Sequence, residues 1–170
     1  MQVGEATLGD VFAFCSGLYF RGKLTYARRF AVPPPGVEGV LIMTPSRGLA
    51  SPELRIGLDK LNEFSTVDVA SNEPRFTEPL RESARRLAES ECEVVLLGSI
   101  ATGKYIETLL PVFREFLLFP GAFVGRGDMS RGGLLLRCAK LGEELGYLPV
   151  QGAIRKGRRA PRIAAMRPTA

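Results

Sequence analysis

EVVLLG, residues 93–98, is the clearest β-strand signal in this chain of 170 residues. Its apolar run is typical of a strand that is covered on both faces. GVLIMT (39–44), STVDVA (65–70) and EFLLF (115–119) predict further short strands, and YLPVQ (147–151) predicts an edge strand. Strands that alternate with helices predict an α/β fold with a mostly parallel central sheet flanked by helices, a Rossmann-like three-layer arrangement.

The helices are expected between these strands. Apolar spacing from Leu8 to Tyr19 favours a helix, although VFAFC could equally be a short buried strand, and PPPG (33–36) must end any helix. Further helices are expected from Thr77 to about residue 90, from about residue 103, and from Ser130 to Gly146. No linker divides the chain, so we expect one domain over residues 1–152 and a basic tail over residues 153–170.

Composition excludes several classes of protein. The chain has 45% apolar and 24% charged residues and no apolar run near the roughly 20 residues of a membrane span. Its start lacks the pattern of a signal peptide, so we expect the cytoplasm. The absence of histidine excludes Ser-His-Asp and Cys-His catalysis, and three scattered cysteines indicate neither a metal site nor a disulfide framework. Nothing indicates a cofactor or an oligomeric state.

The net charge of +5 comes from the tail, because residues 145–170 carry six basic residues and no acidic one. A basic segment can bind the phosphates of DNA or RNA by releasing counterions. A solvated end with no partner is the alternative. The residues expected to contact nucleic acid are Arg155, Lys156, Arg158, Arg159 and Arg162.

Three polar, glycine-containing loops follow predicted strands: PSRG (45–48), GSIATGKY (98–105) and GRGDMSRGG (125–133). In a parallel sheet these loops would meet at the carboxyl edge, where open α/β sheets bind ligands. We therefore predict a phosphate site formed by Ser46, Arg47, Gly98, Ser99, Thr102, Lys104, Arg126, Ser130 and Arg131.

GSIATGKY matches the G-x-x-x-x-G-K pattern of a P-loop, but Tyr105 replaces the Ser or Thr that holds Mg²⁺. Asp68, expected inside a short strand, does not supply the second metal-binding carboxylate. A degenerate P-loop NTPase or kinase therefore stays an alternative beside a simple strand-to-helix turn.

GRGDMSRGG suits an anion held at a helix N-terminus, where arginine can bind phosphate or carboxylate bidentately. The structural alternative is that Ser130 caps the helix and the glycines turn the chain. If the protein is an enzyme, the candidate acids and bases are Asp68, Glu73 and Asp128.

Four segments together resemble an uncharacterised family of small bacterial and phage α/β proteins: GLYFRGKLTYARRFA, VLIMTPSRGL, VVLLGSIATGKYIETLLPVF and FPGAFVGRGDMSRGGLLL. The resemblance spans about residues 18–138 and implies a glycosylase-like or nucleotide-modifying α/β fold. The chain departs from the family at residues 14–17, FCSG, which lack the lysine of the family's Ser-Cys-Gly-Lys-like turn.

These observations predict a protein that binds the phosphate of a nucleotide or nucleic acid and acts on the attached base or glycosidic bond. A non-catalytic nucleic-acid-associated module is the second hypothesis, and the degenerate P-loop enzyme is the third.

Overall fold

The computed structural model describes residues 6–158, 160, 161 and 163. The helices are α1 (Leu8–Phe30), α2 (Leu58–Ser65), α3 (Pro74–Ala88), α4 (Gly103–Phe113) and α5 (Asp128–Leu141). The strands are β1 (Ala6–Thr7), β2 (Ile42–Thr44), β3 (Gly48–Ala50), β4 (Arg55–Ile56), β5 (Val94–Val95), β6 (Leu117–Pro120) and β7 (Tyr147–Pro149).

The prediction of a mostly parallel central sheet is wrong. The described strands form a β1–β4 pair, a β2–β3 hairpin and a three-stranded sheet of order β5-β6-β7. Only β5 and β6 are parallel, and β7 is antiparallel to β6. The fold remains α/β, but its sheets are too small to form the middle of three layers.

The hairpin explains much of this difference. PSRG does not connect a strand to a helix, because β2 turns back and pairs with β3. Thr44 Oγ1 accepts a hydrogen bond from Arg47 N at 3.0 Å and donates one to the carbonyl of Gly48 at 2.9 Å. Gly48 has a φ of 64° and packs so closely on Pro79 and Ser83 of α3 that no side chain fits there.

The four predicted helices correspond to α1, α3, α4 and α5, whereas α2 was not predicted, and the bounds of α3 and α5 differ from those expected. α3 begins at Pro74, three residues before the predicted Thr77, because Glu73 caps it by accepting a hydrogen bond from Arg75 N. α5 begins after Gly127 and ends at Gly142, whose φ is 72°, instead of running from Ser130 to Gly146. Residues 66–70 form a turn and bends with no strand. The predicted edge strand at YLPVQ is confirmed as β7.

The longest helix, α1, is kinked at Gly17 and packs on α5 through two glycines. A methyl group on Gly132 would lie 2.8 Å from Tyr19 Cα, and one on Gly22 would lie 2.7 Å from the carbonyl oxygen of Gly132. The backbones of the two helices therefore approach closely. This crossing brings the middle of α1 next to the start of α5.

The largest apolar cluster joins α3 and α4 to β5 and β6, with Phe76, Leu80, Ile106 and Leu117 almost fully buried. β6 is buried along its whole length, as the apolar sequence LLFP predicts. In the described part of the chain, no helix combines the length and the apolar character needed to cross a bilayer.

Candidate functional site

A cleft of about 1020 Å³ lies beside the outer edge of β5. It is lined by α1 from Phe12 to Phe30, by much of the segment 31–45, by β5 and by the first turns of α4 and α5. β5 pairs with β6 alone among the described strands, so its second edge is left open to the cleft. Most lining residues are apolar, and Tyr19, Lys23, Tyr105 and Asp128 form a polar group that we call the polar end.

Lys23 and Tyr19 of α1 stand at that polar end. The Nζ atom of Lys23 lies 4.1 Å from the centroid of the Tyr19 ring, an arrangement in which the aromatic face attracts the ammonium group. Burial lowers the pKa of Lys23 to about 8, against a smaller opposing effect of Asp128. Burial likewise raises the pKa of Tyr19 to about 12, so its hydroxyl stays protonated at neutral pH and donates to the carbonyl of Leu97 at 3.3 Å.

The first turn of α4 contributes Lys104 and Tyr105. The Lys104 Nζ atom lies 5.6 Å from the Tyr105 ring, which packs edge-on against Phe76. Thr102 precedes α4 but makes no side-chain hydrogen bond to it, and the carboxylate of Glu107, one turn further along, lies against Gly103. The start of α4 therefore brings a lysine, backbone donors and one carboxylate together.

The first turn of α5 contributes Asp128, whose side chain is exposed. Its Oδ1 atom lies 3.4 Å from the NH1 atom of Arg131, and Arg131 also donates to the carbonyl oxygen of Phe123 through Nε and NH2. Arg131 is buried over the Phe123 ring. It thus neutralises Asp128 and holds the loop before α5, and it does not line the cleft.

The predicted loop residues do not form one group. Because the β2–β3 turn is a hairpin, Ser46 and Arg47 face α2, where both bind the carboxylate of Glu63 at 2.6 Å. Arg47 and Ser46 hold the pKa of Glu63 below its usual value. Neither residue lines the cleft.

Of the residues predicted in GSIATGK, Lys104 alone lines the cleft. Gly98 is buried against Leu96 and Tyr105, and Ser99 Oγ accepts a hydrogen bond from Ala101 N at 3.3 Å. Thr102 is exposed. These residues shape the turn that leads into α4.

Arg126 and Ser130 form hydrogen bonds that hold the start of the C-terminal segment. Arg126 donates to Ser130 Oγ at 3.2 Å and to the carbonyl oxygen of Pro161 at 3.0 Å, and Ala160 N donates to Gly125 O. Gly125 has a φ of 75°, and a side chain on it would collide with the carbonyl of Arg158. The glycine-rich loop therefore docks the start of the tail.

The remaining predicted residues are scattered. Asp68 is exposed in the bend after α2, and Glu73 caps α3 and pairs with Arg75 at 3.2 Å. Arg155, Lys156 and Arg158 are exposed, whereas Arg159 and Arg162 lie outside the described residues. Asp128 is thus the candidate acid or base that reaches the cleft.

Sequence reasoning missed Tyr19 and Lys23 as site residues. A signal was present, since Tyr19, Lys23, Tyr26 and Phe30 follow helical spacing on one face. A lysine inside an otherwise aromatic stripe indicates a cation that faces a wall or a ligand.

The described residues contain no cluster of three cysteine, aspartate or glutamate side chains that could hold a metal ion. Comparisons with protein-family models, with curated proteins and with solved structures find no significant match to this chain.

Proposed function

We propose that the cleft binds a small molecule that carries a phosphate group and an apolar or aromatic body, with a nucleotide as the leading class. The observation that carries this proposal is that Lys23 of α1 and Lys104 in the first turn of α4 line the same cleft, whose walls are mainly apolar. Its volume is at the upper end of the range of about 300–1,000 Å³ that is usual for small-molecule sites.

Phosphate would bind where the backbone and the lysines act together. The start of α4 is the positive end of the helix dipole, which favours an anion, and a phosphate there would displace the Glu107 carboxylate that lies against Gly103. Lys104 stands on the same turn. Within the described residues, neither Lys104 nor Lys23 forms an ion pair with a carboxylate, so both ammonium groups can be used by a ligand.

The charges along the cleft support one orientation of the ligand. The carboxylates of Glu38, Glu93 and Glu144 line other parts of the cleft and are exposed. Asp128 is at the lysine end but is paired with Arg131. An anionic group is therefore favoured next to the two lysines, and the uncharged body of the ligand would lie along the apolar wall.

Calorimetric titration with adenosine 5′-monophosphate, adenosine and inorganic phosphate tests the proposal. We expect the nucleotide to bind more tightly than either half. Lys104→Met should weaken binding about ten- to a hundredfold, because one charge-assisted hydrogen bond contributes about 1.5–3 kcal/mol. Lys140→Met removes an exposed lysine at the far end of α5 and should bind like the parent. The absence of nucleotide and phosphate binding at millimolar concentration would refute the proposal.

Nucleic acid is a second candidate ligand, favoured by the exposure of Arg155, Lys156 and Arg158 on a segment anchored to the glycine-rich loop. Such side chains would contact phosphates without reading bases. Binding through them would depend on salt and would not need the cleft.

A further inference from the structure

Lys23 has a feature that phosphate binding does not require. Lys104 and the start of α4 already provide a cation and backbone donors, whereas Lys23 rises from the wall of the cleft on a different helix. Its amine is set against the Tyr19 ring, and in the described structure it has no carboxylate partner. The same surroundings lower the pKa of Lys23 to about 8, mainly through burial.

The surroundings of Lys23 match those of lysines that act as nucleophiles. A neutral amine is the reactive form, and a hydrophobic wall or a nearby cation increases its share at neutral pH. The first condition is met, because the cleft wall is largely apolar and burial is the main cause of the lowered pKa of Lys23. The Arg131 guanidinium lowers this pKa further, but by less than the Asp128 carboxylate raises it.

We propose that Lys23 forms an imine with an aldehyde or ketone bound in the cleft, so that the ligand class is a phosphorylated carbonyl compound. This inference rests on the proposed function for the position of the phosphate. The Nζ lone pair attacks the carbonyl carbon, and the π electrons of the C=O bond move to the oxygen, which takes up a proton. The nitrogen loses a proton to give the neutral carbinolamine, and its hydroxyl takes up a second proton and leaves as water while the nitrogen lone pair forms the C=N bond. The protonated imine then loses the second nitrogen proton. The sum is amine plus carbonyl giving imine plus water, with no change in oxidation state.

The test uses the full chain, which has five lysines: Lys23, Lys60, Lys104, Lys140 and Lys156. The protein is treated with pyridoxal 5′-phosphate at about pH 7.5, the imine is trapped with borohydride, and the modified lysines are mapped by mass spectrometry. The same experiment with pyridoxal, which lacks the phosphate, separates amine reactivity from phosphate binding.

We expect Lys23 to be labelled at least about tenfold faster than Lys60, Lys140 and Lys156 by both aldehydes, because a larger fraction of its amine is neutral. Lys23→Arg should abolish the fast phase and keep the positive charge, while Lys140→Met should leave that phase unchanged. Labelling of Lys23 at the rate of the exposed lysines, by both aldehydes, would overturn the inference. The labelling is repeated with inorganic phosphate added as a competitor. If Lys23 is labelled preferentially by both aldehydes and added phosphate does not slow its labelling, the result supports the reactive amine and contradicts the phosphate site.

Discussion

Two adjacent glycines of α5, Gly132 and Gly133, provide a matched test of the helix crossing that forms the polar end of the cleft. A methyl group on Gly132 would lie 2.8 Å from Tyr19 Cα and 3.0 Å from the carbonyl oxygen of Leu18. Both atoms belong to the backbone of α1, which cannot rotate away as a side chain would. A methyl group on Gly133 would meet nothing within 4 Å.

The two substitutions to alanine should therefore have opposite effects. In a helix interior, alanine is more favourable than glycine by about 0.5–1 kcal/mol, so Gly133→Ala should increase the free energy of unfolding by about that amount. Gly132→Ala has the same gain, but carbon atoms prefer separations of about 3.5–4.0 Å, so the helices must move apart. Overpacking of this kind costs about 1–3 kcal/mol. Because both variants share the helix-propensity gain, we expect the free energy of unfolding of Gly132→Ala to be about 1–3 kcal/mol lower than that of Gly133→Ala.

Urea unfolding followed by circular dichroism measures both values on otherwise identical proteins. The displacement should also move Tyr19 and Lys23 away from the start of α5, so Gly132→Ala should weaken binding of adenosine 5′-monophosphate while Gly133→Ala does not. A Gly132→Ala protein that is as stable as Gly133→Ala would refute the close crossing and, with it, the geometry of the cleft.

Three other predictions concern the lysine, the hairpin and the tail. Lys23→Met should raise the free energy of unfolding by up to about 3 kcal/mol near neutral pH, because the pKa of Lys23 falls from 10.5 to about 8 on folding and each pKa unit is worth about 1.4 kcal/mol. Between these two pKa values the unfolded chain binds the proton more tightly than the folded chain, so the parent becomes more stable as the pH rises and the stability advantage of the variant shrinks. Chemical denaturation at several pH values measures this advantage. An advantage that grows with pH would contradict the lowered pKa. Thr44→Val should lower the free energy of unfolding by about 1–3 kcal/mol, because it removes both hydrogen bonds that the buried Thr44 hydroxyl makes in the hairpin turn. Thr66→Val removes one hydrogen bond, to the carbonyl of Glu63, at an exposed site and should have a smaller effect. Truncation after Gly152 should remove salt-sensitive binding to DNA, measured by fluorescence anisotropy, and equal binding by both proteins at low salt would count against a role for the tail.

The sequence by itself was enough to predict the helices and strands that local patterns define. The apolar runs around Val94 and Leu117 predict β5 and β6, and prolines 33–35 explain why α1 ends at Phe30. Lys104 was predicted as a ligand-binding residue, and it does line the cleft. Its position was predictable because it lies directly after the turn between β5 and α4. These features depend on neighbours within a few residues, so periodicity and turn residues are sufficient to reveal them.

Tertiary structure alone decided how these elements are arranged. PSRG has the residues of a hairpin turn and of a strand-to-helix loop alike, and the outcome depends on the packing of Gly48 against α3, more than 30 residues away. Lys23 is charged, and charged residues usually face solvent. It faces the cleft because Gly22 and Gly132 let α1 approach α5 closely, and this contact joins segments more than 100 residues apart. Burial is a property of such long-range contacts, so the aromatic stripe around Lys23 indicates that it faces a wall or a ligand but not which elements form that wall.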